Sequence, residues 1–177
     1  ANIYNNFIGD LKAPSASSAS AALPSLRGIN VTTTTTNTNI NISFNTIHLN
    51  ATSTGTNFAT TGLFVTTSAT ATTANLTLKN NIIVNLSTPS GTGNAVAYQR
   101  SSTSLTNYNQ NSNNNLFYTG TPGTQNLIFF DGTTANQTVT DFKIGVSPAD
   151  ALSITENPSF VSTVGSSASF LHINTTI

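Results

Sequence analysis

Short apolar segments alternate with long polar stretches along the whole chain, and the apolar segments are of two recurring kinds. The first kind carries Asn two or three residues before an apolar strand, and its copies begin at Tyr4, Phe44, Lys79 and Asn113. The second kind lies close to a small or turn-forming residue, and its copies begin at Gly28, Gly62, Ala95 and Asn126. Both kinds recur with one shared period, on the order of 34 residues.

This shared period predicts a stack of repeated units. A unit of about 34 residues cannot bury a core alone, so successive units must pack on one another. The apolar segments are short and β-branched or aromatic, while connections such as residues 32–39 and 101–112 lack helical periodicity. The sequence therefore predicts an all-β fold, a right-handed parallel β-helix or solenoid, as a single domain over residues 1–177.

The repeat pattern breaks after Asp141. Residues 145–148 and 157–160 contain the Gly and Pro signals of turns, and residues 171–173 are typical of the start of another strand. We therefore expect the last coil to be incomplete and the chain to be a fragment of a longer solenoid.

The asparagines before the strands predict a structural column. In a parallel β-helix, equivalent positions of successive coils lie above one another at a spacing of roughly 4.8 Å. Stacked Asn side chains can form amide-to-amide hydrogen bonds, and Asn tolerates the left-handed backbone of a sharp corner. The column predicted from the repeat consists of Asn5, Asn45, Asn80 and Asn114.

Strand alternation predicts which side chains face the solvent. Ile47 and Leu49 are expected inside and His48 outside, and the same alignment gives an outward column of Ile8, His48, Ile83 and Phe117. A mostly apolar outward column is unusual on a surface. We expect the chain's own loops to cover it, with contact to a partner as the alternative.

Composition narrows the partners and the compartment. Charged residues make up only 6% of the chain and the formal net charge is zero, so no basic patch exists to bind nucleic acid. No apolar run approaches the roughly 20 residues that span a bilayer, which predicts no membrane insertion. The low charge and abundant Thr and Asn favour export, and we expect an extracellular or cell-surface location.

Three segments carry a family resemblance, and they begin at Ile3, Lys79 and Asn113. Along nearly the whole chain the sequence resembles the large repetitive β-helix proteins of Bacteroidetes and related bacteria, which are secreted or displayed on the cell surface. The resemblance extends to the wider pectate-lyase-like superfamily. Because that superfamily also contains polysaccharide lyases and hydrolases, the resemblance implies an architecture more specifically than an activity.

Candidate catalytic chemistry is sparse. Aligning Leu63 with Val96 and Ile128 places no second carboxylate beside Asp131, and Asp131 with Gly132 is typical of a turn. Arg100 lies one place along the neighbouring rung, so the pair is a weak candidate for lyase chemistry and a better one for a surface ion pair. No catalytic, cofactor or metal residues are predicted, because the other acidic and His residues do not cluster.

Three functions remain open. The leading hypothesis is a non-catalytic structural or adhesin segment that contacts glycans or other copies of itself, with Tyr98, Tyr108 or Tyr118 as stacking platforms. The first alternative is a polysaccharide lyase or hydrolase. The second is an ice-binding protein, which the Thr residues within residues 32–36, 66–67 and 72–73 motivate despite their uneven spacing.

Overall fold

The computed structural model describes residues 1–32, 38–66 and 75–176. Twelve strands and one helix lie in this part of the chain. They are β1 (Asn2–Tyr4), β2 (Phe7–Gly9), β3 (Leu26–Thr32), β4 (Asn39–Ser43), β5 (Thr46–Leu49), β6 (Thr60–Thr66), β7 (Asn75–Lys79), β8 (Ile82–Asn85), β9 (Ala95–Arg100), β10 (Leu116–Tyr118), β11 (Asn126–Phe130), β12 (Ala135–Asn136) and α1 (Val139–Val146).

The strands form three sheets. Sheet A has the order β1-β4-β7, sheet B the order β2-β5-β8-β10, and sheet C the order β3-β6-β9-β11-β12. All named pairs are parallel except β11 with β12, and equivalent residues of successive coils are paired, such as Thr46 with Ile82 and Leu26 with Thr60. The chain is thus a parallel β-solenoid of about three turns, which confirms the predicted fold class.

The core lies between the three sheets. Sheet A alternates cleanly, with Ile42, Leu76 and Leu78 buried and the intervening Asn, Ser, Thr and Lys side chains facing the solvent. Sheets B and C contribute buried residues such as Ile47 and Leu63 to the same cluster. Because the apolar positions of successive coils are in register, each coil completes the core of its neighbour, as expected of a unit too small to fold alone.

A single left-handed residue turns the chain between sheets A and B. Asn5, Phe44, Asn80 and Asn114 occupy this corner in successive coils, and their φ values lie between 55° and 57°. Asn adopts this conformation more readily than other residues with a Cβ, which explains three of the four corners. Phe44 is the exception and is 58% exposed.

The core is closed at the C-terminal coil by a hairpin and a helix. β12 pairs antiparallel with β11 and ends the succession of parallel strands. The helix α1 follows, with Thr138 as its N-cap: the Thr138 side chain accepts a hydrogen bond from the backbone N of Asp141. Phe142 is 1% exposed and packs against the rings of Phe117 and Phe129 at centroid distances of 5.5 and 5.2 Å.

Residues 154–174, which we call the strap, run back across the outer face of sheet B. The backbone of Ile154 exchanges hydrogen bonds with Asn115 and Phe117, at the last strand of the sheet. Further along, the ring of Phe160 contacts the ring of His48 in an edge-to-face arrangement with centroids 5.6 Å apart. The segment at residues 171–173, predicted to start another rung, belongs to the strap instead, since Ile173 forms an antiparallel bridge with Phe160.

Candidate functional site

A ladder of amides connects the coils at the corners between sheets A and B, and all its members except the exposed Asn6 are buried. The Nδ2 atoms of Asn6, Asn45 and Asn81 donate to the Oδ1 atoms of Asn45, Asn81 and Asn115 at 2.8, 3.0 and 2.9 Å. The backbone N of each donor residue also donates to the same Oδ1, at 3.2, 3.1 and 3.1 Å. Because buried amides are costly when unpaired, this ladder holds the coils in one register.

The ladder ends on a buried carboxylate. Asn115 Nδ2 donates to Asp150 Oδ1 at 2.9 Å, and Ser153 Oγ donates to the same oxygen at 2.5 Å. The hydroxyl of Tyr108 donates to Asp150 Oδ2 at 2.5 Å, and Asp150 is fully buried. Burial, reinforced by the neighbouring Asp150, raises the pKa of Tyr108 well above its ordinary value. Asp150 therefore terminates a structural hydrogen-bond network.

The predicted asparagine column needs a correction of one position. The register aligns Asn45 with Asn81, since Thr46 pairs with Ile82, so the stacked amides are not those of Asn80. The sequence predicted that one column of asparagines both forms the stacked hydrogen bonds and adopts the left-handed corner. In the structure these two roles belong to adjacent positions. Asn45 alone of the predicted set stands in the ladder, while the other three members are left-handed corner residues: Asn5, Asn80 and Asn114.

The predicted contact column was also wrong. Ile8, Ile47, Ile83 and Phe117 are in register, and the last three are at most 1% exposed in the core, with Ile8 packed against them. His48 lies on the other side of the sheet, level with Gly9 and Val84, so it does not share a column with the other three predicted residues. The error arose because the alignment was displaced by one residue, which exchanges the two faces of a strand.

The two weak enzyme candidates have separate structural roles. The guanidinium of Arg100 is 1% exposed and donates to Tyr98 Oη at 2.8 Å, to the carbonyl oxygen of Ser104 at 2.9 Å and to Asn107 Oδ1. Asp131 begins the hairpin loop after β11 and accepts hydrogen bonds from the backbone N of the residues at 133 and 134. The expected surface ion pair is absent, since the one ion pair in the described part of the chain joins Lys12 and Asp10.

The sequence alignment of the strands in sheet C was also wrong. Leu63 pairs with Tyr98, which pairs with Phe129, whereas the sequence alignment had matched Leu63 with Val96 and Ile128.

Two of the tyrosines that were predicted to stack on sugars are buried. Tyr98 is fully buried and Tyr108 is 8% exposed, so neither ring can receive a sugar.

The Thr ranks that motivated ice binding fall mostly outside the described residues. Thr32 and Thr66 are described and pair with one another at the ends of β3 and β6. The remaining Thr positions of these ranks, within residues 33–36, at 67 and within 72–73, lie outside the described residues.

The outer face of sheet A carries regular rows of exposed polar side chains. Asn41 Nδ2 donates to Asn2 Oδ1 at 2.9 Å, and Thr77 continues this row on the next coil. In the neighbouring row, Asn75 Nδ2 donates to Asn39 Oδ1 at 3.1 Å. These bonds fix the amide groups in position while their remaining donors and acceptors face the solvent. We call this surface the amide face.

A polar pocket of about 120 Å³ lies where the strap crosses the first two coils, and no sequence pattern predicted it. Lys12 Nζ lies 2.7 Å from Asp10 Oδ1, and the backbone N of Gly165 in the strap donates to Asp10 Oδ2 at 3.0 Å. The hydrogen bond from Lys12, followed by that from Gly165, lowers the pKa of the Asp10 carboxyl. Burial lowers the pKa of His48. The lining consists of Asp10, Lys12, His48, Asn50, Thr163 and Val164.

The described part of the chain holds neither a metal-binding cluster nor a helix that could span a membrane. No group of three or more His, Cys, Asp or Glu side chains in these ranges is arranged to hold a metal ion. Within the same ranges, no helix has both the length and the apolar character needed to cross a membrane.

The fold defines the chain as a parallel β-solenoid repeat protein with an internal amide ladder. No protein-family model, no curated protein and no solved structure matches it.

Proposed function

We propose that the chain is a non-catalytic structural or adhesin segment, a β-helical rod that acts outside the cell and contacts glycans through the amide face. The observation that carries this proposal is the regular row structure of that face. Asn2, Asn41 and Thr77 repeat with the coils, and so do Asn39 and Asn75. Amides and hydroxyls both donate and accept hydrogen bonds, as sugar hydroxyls do.

The continuity of the coils supports a rod-like role. Three sheets and the amide ladder pass from coil to coil in one register, so bending the stack would break buried hydrogen bonds. A stiff support keeps the rows of the amide face at fixed spacings, and this lowers the entropic cost of binding an extended polymer.

The low charge supports a neutral glycan as the partner. The five basic and five acidic residues are scattered, and Lys79 is the one charged residue on the described strands of sheet A. A surface with few charges gains little from binding nucleic acid or other polyanions, so hydroxyl recognition is the more favourable use of this face.

We propose the same origin that the sequence resemblance implied, namely a secreted or cell-surface pectate-lyase-like β-helix protein of Bacteroidetes or related bacteria. The coils build three parallel sheets and have Asn-rich corners, and both features support this kinship.

Other copies of the chain are a second proposed partner. Strands β1, β2 and β3 each lie at an edge of their sheet at the same end of the solenoid, and such edges can template association. Concentration-dependent association in sedimentation velocity is the expected result.

The experiment that tests the glycan role is a glycan array, combined with product analysis of the same glycans after incubation. We expect saturable binding without cleavage. The variant Asn41→Ala/Asn75→Ala removes exposed amides from both rows and should abolish most binding, whereas Thr133→Ala, an exposed change in the hairpin loop, should leave binding intact. Cleavage products would favour the enzyme alternative, and no binding to any glycan would contradict the adhesive role.

A further inference from the structure

We propose that the polar pocket beneath the strap is a second, recessed binding site that takes one neutral sugar unit or a similar polyol. The inference rests on the proposed glycan-binding role and deepens it, because it assigns recognition of a single unit to a place separate from the amide face. The amide face belongs to sheet A, whereas the pocket lies beside sheet B, between His48 of β5, the loops that follow β2 and β5, and the strap.

The hydrogen-bonding groups of the pocket suit a ligand with several hydroxyls. Asp10 supplies carboxylate acceptors and Lys12 supplies ammonium donors, while the Asn50 amide and the Thr163 hydroxyl do both. A sugar hydroxyl donates one hydrogen bond and accepts others, so adjacent hydroxyls require donors and acceptors side by side. A site for a simple anion or cation would need groups of one kind.

The charges in the pocket are balanced, which favours a neutral ligand. The Lys12 ammonium and the Asp10 carboxylate form an ion pair at 2.7 Å, so neither charge is left free to attract an ionic ligand. The imidazole of His48 is 7% exposed, and burial disfavours its charged form. A phosphate would meet the Asp10 carboxylate, and a divalent cation would meet the Lys12 ammonium.

Size and apolar contact agree with a single sugar ring. A volume of about 120 Å³ has room for several water molecules, and so for a polyol or most of one sugar ring. Val164 adds an apolar side chain to the lining, and the Phe160 ring contacts the His48 imidazole edge to face. Sugars commonly present C–H groups to such surfaces while their hydroxyls bind the polar side.

The strap supplies one wall of this site. Thr163 and Val164 belong to the strap, and the hydrogen bond from the backbone N of Gly165 to Asp10 holds them in place. A ligand that contacts both the coils and the strap binds only when the strap is closed. Bound sugar should therefore protect the strap against opening, in proportion to its occupancy.

The first test is a titration of the full chain followed by nuclear magnetic resonance, with the His48 ring signals as reporters. The probes are methyl glucoside, methyl galactoside and N-acetylglucosamine, with sulfate and calcium chloride as ionic comparisons. We expect at least one neutral sugar to shift the His48 signals saturably and to slow amide exchange in the strap. If only sulfate or calcium produces a saturable shift, or if no probe does, the proposal is wrong.

Matched variants assign the binding to this pocket. Asn50→Ala and Thr163→Ala each remove one hydrogen-bonding group and should weaken sugar binding about fivefold. Thr52→Ala changes an exposed residue of the same loop that does not line the pocket, and it should bind sugar as the unaltered chain does. Sugar binding that is unchanged in both pocket variants would overturn the assignment.

The two glycan proposals can fail separately. Glycan-array binding that is lost in Asn41→Ala/Asn75→Ala but kept in Asn50→Ala would support the amide face and contradict the pocket. Saturable binding of a free sugar at His48 without any array binding would support the pocket and contradict the adhesive role.

Discussion

Asn45 donates from its Nδ2 to Asn81 Oδ1 at 3.0 Å, and this bond between neighbouring coils gives the buried ladder a direction. In every amide-to-amide bond of the ladder the donor lies one coil before the acceptor, and the last donor, Asn115, reaches the carboxylate of Asp150. A carboxylate is the strongest acceptor that a side chain offers, so it stabilises a chain of aligned amide dipoles at their positive, N–H end.

Replacing Asn81 by Ala should therefore cost more than the loss of one hydrogen bond. The change removes the buried acceptor of the Asn45 backbone N and Nδ2, and it removes the Asn81 Nδ2 donor to Asn115 Oδ1, which keeps only the bond from the backbone N of residue 81. We expect the free energy of unfolding to fall by about 3 kcal/mol, measured by urea denaturation. The exposed Asn75→Ala should cost less than about 0.5 kcal/mol. Equal effects of the two changes would show that the ladder does not stabilise the stack.

The left-handed corner at Phe44 offers a stabilising substitution. Phe44 has φ of 57° and is 58% exposed, while the equivalent residue of the other coils is Asn. Phe44→Asn should relieve the backbone strain and lose little buried area, so we expect a gain of about 1 kcal/mol in a denaturant melt. The reciprocal Asn80→Phe should lose a similar amount. A loss of stability in Phe44→Asn would indicate that its ring makes a contact worth more than the strain.

This corner also shows how far the sequence could predict the ladder. In the other three coils at least two asparagines are adjacent, as in Asn80 and Asn81, so more than one of them could be aligned with Asn45. The period and the motif predict that stacked asparagines exist. They do not distinguish the two alignments, because Phe44 occupies the corner of the second coil and leaves a single Asn there. The strand pairing decides the register, and it depends on contacts between coils.

The closing elements were missed for different reasons. The helix α1 had a local signal, since Thr138 lies three residues before Asp141 and apolar residues follow at helical spacing, at 139, 142 and 146. The Gly and Pro nearby obscured it. The strap has no comparable signal, because contacts such as that between Gly165 and Asp10 join residues 155 positions apart. No local pattern encodes such a contact, and the pocket that depends on the strap was not predictable either.

Acid should weaken the fold through His48. Its pKa is lowered by burial from an ordinary value of 6.5, so its stabilising contribution is fully present above about pH 6.5. As the pH falls below that value, the unfolded chain takes up a proton more readily than the folded chain, and the free energy of unfolding decreases. Asp10 and Lys12 are the charged groups that line the same pocket. Their ion pair causes a further loss of stability only when the pH falls below the ordinary pKa of Asp10, 3.8.

Denaturant melts between pH 7 and pH 5 should therefore show a decline in stability, and His48→Gln should flatten it. His172→Gln changes an exposed imidazole and serves as the control, which should keep the slope of the unaltered chain. An unchanged slope in His48→Gln would mean that another group controls acid stability.

Alkali should weaken the fold through two buried tyrosines. Burial is the main cause that raises the pKa of both Tyr98 and Tyr108 above 10.0, and the charge of Asp150 adds to it. Their contribution is fully present below about pH 10, and it is lost as the pH rises, because the unfolded chain releases these protons first. In the double variant Tyr4→Phe/Tyr118→Phe, the two buried tyrosines are the only ones left. Tyrosinate absorbance should therefore appear together with unfolding. Tyrosinate absorbance before any loss of circular dichroism would contradict the burial of this network.

Among single apolar substitutions, we expect the largest loss of stability at Phe142, in the helix α1 that closes the C-terminal end of the core. Phe142 is 1% exposed, and its ring packs against Tyr98, Phe117 and Phe129, so Phe142→Ala would leave a cavity at the end of the core. We expect the free energy of unfolding to fall by about 3 to 5 kcal/mol in urea denaturation. Ile144→Ala changes a neighbouring residue of α1 that is 74% exposed, and it should stay within about 0.5 kcal/mol of the unaltered chain. If Phe142→Ala costs no more than Ile144→Ala, then α1 does not close the core and the last coil is stable without it.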